Sequence, residues 1–226
     1  MTLIVAAQGA DFMVLGADSR ETVDVGVIRV ETNIAEKLIR LTDHAAVLLC
    51  GEAGYAQHLV AKYQARISGA AELGVTDLTE GFASFCQAEA IRLSNVPTFS
   101  FHSPTYQYFP DIGFILGGLN KIGTGFSEPR CYGLSSQRGY RLELGGNGFV
   151  LDGKPMIARY LFARYYQPNM DIQNLSKLVA RCLFDTARVD GDVGGQWKLA
   201  IIEPTAIRVK SHEEVEQIIE NEELRW

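Results

Sequence analysis

Cysteine is scarce in this chain of 226 residues: Cys50, Cys86, Cys131 and Cys182 stand far apart, with no C-x-x-C pair among them. That spacing argues against a zinc cluster and a thioredoxin-like redox motif. Each cysteine is set in apolar sequence, as in "VLLCGE" and "VARCLFD", and reads as a reduced core thiol. Long hydrophobic runs are missing too. The first apolar stretch breaks at Gln8 and Asp11, with no basic region before it, which points to neither a signal peptide nor a membrane helix and leads us to expect a cytoplasmic protein. Positive charge is in deficit: 21 Lys and Arg against 27 Asp and Glu give a formal charge of −6, which disfavours a mainly electrostatic grip on nucleic acid. His44, His58, His102 and His212 are scattered, none beside a serine or cysteine in a nucleophile motif. The "GTG" at Gly123 to Gly125 lacks the third glycine and following helix of a nucleotide-binding turn. No linker or internal repeat divides the chain, so one domain over residues 1–226 is expected, with no metal and no cofactor.

What is present is a block pattern. The first fifty residues hold five strand-like runs, "TLIVAAQ", "FMVLGAD", "VGVIRVE", "KLIRL" and "AAVLLCG". Two helical patterns follow, from Ala53 to about Gly69 and through "TDLTEGFASFCQAEAIRLS", with Asp77 or Thr79 as candidate cap of the second. "DIGFILGGLN" returns to strand, and "PRCYGLSSQRGYRLELGG" reads as two strands around Ser135 to Arg138. After Gly148 come two helices, "KPMIARYLFARYY" and "NLSKLVARCLFDTARVD", then a strand pair and an acidic terminal helix. Between Pro97 and Pro110 lies an aromatic loop that suits a packed surface or a subunit contact better than a substrate contact. Segregated blocks of strands and helices predict stacked layers with antiparallel sheets rather than a doubly wound sheet.

Four short stretches carry chemistry. In "MTLIVAA", Thr2 either opens a strand or, once Met1 is removed, offers a hydroxyl nucleophile and an α-amine base on one residue. "VLGADSR" puts Asp18 at a strand end, as a surface turn also would. "AEKLIRL" opens an apolar strand with Lys37, which an exposed edge strand would tolerate equally. "LLCGEAGYAQ" sets Gly51 between strand and helix, where it serves turn geometry, an anion-binding N–H, or both. Together they supply an acyl-transfer site: Thr2 attacks, the amine, with a reference pKa of about 8, takes the proton, Gly51 N–H holds the oxyanion, and Lys37, kept charged by Asp18, poises the nucleophile.

The sequence here resembles the proteasome β-subunits of the N-terminal-nucleophile hydrolases, including the simpler proteasome-like peptidases of bacteria. Sixteen positions separate Thr2 from Asp18 and fourteen separate Lys37 from Gly51, as in the family, while the Asp18 to Lys37 stretch is about three residues longer. The likeness runs along nearly the whole chain and is strongest up to Gln57. It implies an α+β fold, a four-layer αββα sandwich of two stacked antiparallel β-sheets flanked by helices. "VDGDVGGQW" looks like the family's Asp-x-x-Ser-Gly-Gly segment, mapping its aspartate to Asp190 with Val193 in the serine's place. "GGNG" resembles the family's Gly-Ser-Gly turn, with Asn147 where the serine belongs. By the same analogy the specificity pocket involves Ala35, Ile39, Leu49 and Ala53, an apolar set that would favour a hydrophobic residue before the cut; ordinary core positions are the competing reading.

The resemblance implies a threonine-type endopeptidase acting through an acyl-enzyme on Thr2, assembled as a homo-oligomeric ring that stacks into a double ring of fourteen subunits, with six per ring as the alternative. Its substrates would be peptides or unfolded polypeptide, and it admits an ATPase regulator. Phe99 to Phe109 and the helix bearing Tyr160, Phe162, Tyr165 and Tyr166 are candidate interfaces. Two rival readings use the same fold. Val193 and Asn147 suggest a weakly active or inactive ring scaffold, and an amidase for a small non-peptide substrate needs the same site parts.

Overall fold

The computed structural model describes residues 2–25, 28–69, 72–94 and 110–220. Its first sheet takes strands from both ends of the chain: β1 (Leu3–Gln8), β2 (Met13–Ala17), β10 (Phe149–Gly153), β11 (Lys198–Glu203) and β12 (Ala206–Lys210), in the order β10-β1-β2-β11-β12. The second is built from the middle: β5 (Leu38–Arg40), β6 (Ala45–Gly51), β7 (Ile112–Ile122), β8 (Gly125–Ser135) and β9 (Glu143–Leu144), in numerical order. All pairings are antiparallel. A separate hairpin joins β3 (Glu21–Val25) to β4 (Ile28–Thr32). The run from Val25 to Glu31 read as one strand is therefore split, β3 ending at Val25 and β4 beginning at Ile28.

Side-chain alternation makes the layers. Along β1, Leu3, Val5 and Ala7 join a core with α3 (Met156–Tyr165), α4 (Ile172–Val189) and α5 (His212–Glu220). The intervening Ile4 and Ala6 face the other sheet with Met13, Leu15, Leu48 and Ile115. Along β6, Val47 and Leu49 pack under α1 (Ala53–Arg66) and α2 (Val75–Ser94), while Ala46, Leu48 and Cys50 point into the inter-sheet layer. A period of two, with apolar residues at odd and even positions alike, means that the central strands β1, β2 and β6 are covered on both faces, whereas β9 and β12 at the sheet edges are largely exposed. The result is the expected αββα sandwich. All four cysteines are free and buried, as expected of core thiols.

Several local expectations shift. α2 starts at Val75, so Asp77 and Thr79 lie within its first turns instead of capping it; the buried Thr79 hydroxyl donates to Val75 O at 2.6 Å. β10 occupies the stretch after Gly148 where a helix had been expected to follow directly. Its short length and single Asp–Gly ending gave little periodicity to read. α4 is capped by Asp171, whose side chain accepts from Asn174 N at 2.8 Å. Of the four aromatic residues proposed as a helix interface, Phe162 is buried against Phe149, with ring centroids 4.7 Å apart, and Tyr160 is exposed beside Met156. The aromatic loop lies outside the described residues except for the buried Pro110. No described helix is long and apolar enough to cross a membrane.

Leu15 is fully buried between the two sheets. Leu15→Ala opens a cavity where neither sheet can collapse freely, and we expect a loss of about 2–5 kcal/mol, read as a lowered urea midpoint at unchanged slope.

Candidate active site

Thr2, Asp18 and Lys37 converge at one end of the inter-sheet layer. β1 and β2 pair so that Ile4 faces Ala17, which brings the start of β1 alongside the end of β2. Lys37 arrives from the segment leading into β5, and Leu49 N donating to Lys37 O at 3.0 Å extends that pairing. All three side chains are buried, with Thr2 at 2%, Asp18 at 2% and Lys37 at 4% exposure.

The polar groups there are matched one to one. The Thr2 hydroxyl donates to Asp18 Oδ1 and accepts from Lys37 Nζ at 2.5 Å. Lys37 Nζ lies 3.2 Å from Asp18 Oδ1 and also donates to the carbonyl of Arg20. Its three N–H bonds thus have three acceptors. Asp18 further receives main-chain N–H groups from Leu3, Arg20 and Gly194, each at 3.1 Å. Burial pushes the Lys37 ammonium below the usual 10.5, an effect partly offset by attraction to Asp18. Burial likewise raises Asp18 above the usual carboxylate range, against the pull of Lys37 and the N–H groups of Gly194 and Leu3. With all three of its N–H bonds donated, the Lys37 ammonium stabilises negative charge that develops on the Thr2 oxygen.

Two glycines close the site. Gly51, at φ +86°, lies where a Cβ would meet Asp111 O at 2.0 Å. Gly153, at φ +83°, lies where a Cβ would meet Thr2 O at 2.0 Å. Neither position admits another residue without moving main chain. A cavity of about 450 Å³ beside Thr2 is lined by Gly51, Cys50, Asp152, Arg138 and Arg159 among others. Thr2 and Gly51 thus share one cavity wall.

Other candidates fall elsewhere. Asn147 is exposed in a tight turn closed by Gly148 N to Gly145 O at 2.9 Å. Because β10 runs antiparallel to β1, with Leu3 opposite Gly153 and Ala7 opposite Phe149, that turn sits at the far end of β1. At about 3.3 Å per residue it is roughly 20 Å from Thr2, so Asn147 is corrected to a turn residue outside the site. Asp190 ends α4 and accepts from Lys154 Nζ at 3.2 Å. Val193 is buried in the helix–sheet core. Leu49 and Ala53 belong to the core under α1 and α2, with Ile39 packed against it, and Ala35 is half-buried with its N–H on Ser19 O at 3.1 Å. None of these four lines the cavity at Thr2. The side chains that do line it are mixed, with Asp152, Arg138 and Arg159 beside Ile112, Leu134 and Val150.

Gly153, Lys154 and Gly194 were missed as site residues. The "GKP" stretch before α3 carried a signal, since glycine and then proline next to a helix start mark a turn held in an unusual conformation.

Lys37 gives a pH signature of stability. With its value lowered in the folded protein, the unfolded chain binds one more proton between that lowered value and 10.5. Stability therefore rises with pH across this window and is lost as pH falls through it. Urea unfolding from neutral pH to 10.5 should show the rise in the unaltered chain and its loss in Lys37→Met.

Residues 2–92 match the family model described as Proteasome subunit. Among curated proteins none matches the sequence. Among solved structures, 612 chains match. One is the Gly-1 mutant of Anbu from Hyphomicrobium sp. strain MC1, with a TM-score of 0.74 over 98% of this chain and 93% of that one at 16% identity. Identity that low speaks for the fold, and the fold shared is the layered arrangement of antiparallel sheets and helices expected from the resemblance. The similarity to proteasome subunits is thereby found over the residues that carry Thr2, Asp18, Lys37 and Gly51.

Proposed function

We propose that this protein is a threonine-type peptidase of the proteasome kind, hydrolysing peptide bonds through an ester on Thr2 freed by removal of Met1. The observation that carries the reading is the buried contact of the Thr2 hydroxyl with both Asp18 and Lys37. The hydroxyl oxygen attacks the substrate carbonyl while its proton passes to the α-amine. Gly51 N–H receives the oxyanion. The C–N bond then breaks, the amine returns the proton to the leaving nitrogen, and water, activated by the same amine, hydrolyses the ester. Asp18 and Lys37 hold the hydroxyl in line and stabilise the charge that develops on it. Hydrophobic preference through Ala35, Ile39, Leu49 and Ala53 needs a side chain that slips between packed positions; the cavity of mixed polar and apolar lining that Thr2 and Gly51 share is the receptor we assign to substrate.

The protein acts as a homo-oligomeric ring, a double ring of fourteen by analogy with proteasomes, on peptides or unfolded chains in the cytoplasm, with an ATPase regulator as an optional partner. The exposed Met156 and Tyr160 on α3, 83% and 59% accessible, support a contact between copies. Sedimentation should show a particle many subunits in size; a monomer would remove the ring from this reading.

The chemistry is tested by intact mass after incubation with a peptide epoxyketone, which needs a hydroxyl and a free α-amine on one residue. We expect loss of the methionine mass and gain of one adduct, with Thr2→Ala unlabelled. A mature but unlabelled chain would favour the ring scaffold, and an unlabelled chain that still hydrolyses small acyl amides would favour the amidase. In Asp18→Asn, removal of the negative charge lowers the proton affinity of Lys37 and of the amine. The acid limb of the labelling rate should therefore move to lower pH, while the maximum rate drops.

A further inference from the structure

Lys154 follows Gly153, where β10 runs out against the main chain of Thr2. Its N–H donates to Thr2 O at 2.8 Å. Its ammonium reaches Asp190 Oδ2 at 3.2 Å and Asp192 Oδ2 at 3.3 Å. These two aspartates flank Gly191 in a turn that closes on itself, through Asp192 N to Asp190 Oδ1 at 2.9 Å and Val193 N to Asp190 O at 3.1 Å. Arg20 adds a bond from Nη1 to Gly191 O at 2.7 Å. The turn then delivers Gly194 N to Asp18 Oδ2.

The contacts form a closed circuit from the Thr2 carbonyl through Lys154, the two aspartates, the 190–195 turn, Gly194 and Asp18, and back to the Thr2 hydroxyl. The side chains of Asn147 and Val193, where the resemblance would place serines, take no part: Asn147 is at the other end of β1 and the Val193 side chain is in the core. Beside Asp18, which joins the Thr2 hydroxyl to Gly194 N, Lys154 ties the main chain of the same residue to that turn by a second route. Its ammonium and both carboxylates are partly exposed, so solvent screens their charge. What the bridge supplies is placement of the main chain.

We propose that Lys154 is a positioning residue whose bridge to Asp190 and Asp192 clamps the main chain of Thr2 to the 190–195 turn. The consequence for catalysis rests on Thr2 being the nucleophile, whereas the clamp is testable without turnover. Amide hydrogen exchange on the full chain reads it at Leu3 and Gly194, two of the three main-chain N–H groups that Asp18 accepts from. In Lys154→Met both should exchange roughly fivefold faster or more, with amides in the middle of β11 unchanged, and Lys154→Arg should restore protection. Asp190→Asn combined with Asp192→Asn removes the same bridge without altering Lys154, and gives the same result should Lys154→Met fail to fold. Unchanged exchange at both amides in the folded variants would overturn the clamp. Epoxyketone labelling of the same proteins reads the consequence: Lys154→Met should slow adduct formation by up to about 100-fold, with recovery in Lys154→Arg. Faster exchange in a chain that never labels would retire the nucleophile while leaving the clamp in place.

Discussion

A lysine and an aspartate held out of water in contact with one threonine hydroxyl are the constraint around which this structure is arranged. Burying two charges carries a desolvation penalty that attraction alone seldom repays. Here the penalty is met by partners on every side: Asp18 accepts from three main-chain N–H groups, and Lys37 spends each of its donors. Those partners come from β1, the end of β2, the approach to β5 and the turn after α4. The pair can persist only where these four segments meet, and that is possible only in a fold that brings the chain's two ends into one sheet and lays its middle across them.

The layers follow from that demand. β1 and β2 are central strands, covered by helices on one face and by the second sheet on the other. Their rigidity holds Thr2 and Asp18, and Lys37 is held by a strand whose own N-terminal neighbour bonds to β6. Glycines at 51 and 153 let the main chain approach the carbonyls of Asp111 and Thr2 more closely than any side chain would permit. Packing thus supplies placement, and the buried charges set the electrostatics around the hydroxyl.

Much of this was legible in the sequence because it rests on local pattern. Runs such as "LIVAA" and "AAVLLC" announce strands covered on both faces, and the spacings linking Thr2, Asp18, Lys37 and Gly51 belong to segments whose lengths are fixed by strand pairing. What stayed hidden depends on contacts between distant segments. Asn147 sits in a glycine-rich turn that looks like the site's own, yet the register of β10 against β1 puts it at the wrong end, and no local cue encodes register between strands more than a hundred residues apart. The same register brings Lys154, which reads as an ordinary helix-start lysine, against Thr2. The resemblance places Leu49 and Ala53 in a pocket, but Leu49 alternates toward α1 and α2 in a strand of period two, and Ala53, the first residue of α1, is buried in the same core.

The pairing of β1 on both edges makes this strand a ruler. A residue inserted or removed between Thr2 and Gln8 would exchange the faces of every side chain beyond it, sending Leu3's neighbours into the wrong layer. The core of the molecule therefore counts residues from the reactive end, and any change of the chain's start that is read through this strand must be made in front of Thr2, where the count begins.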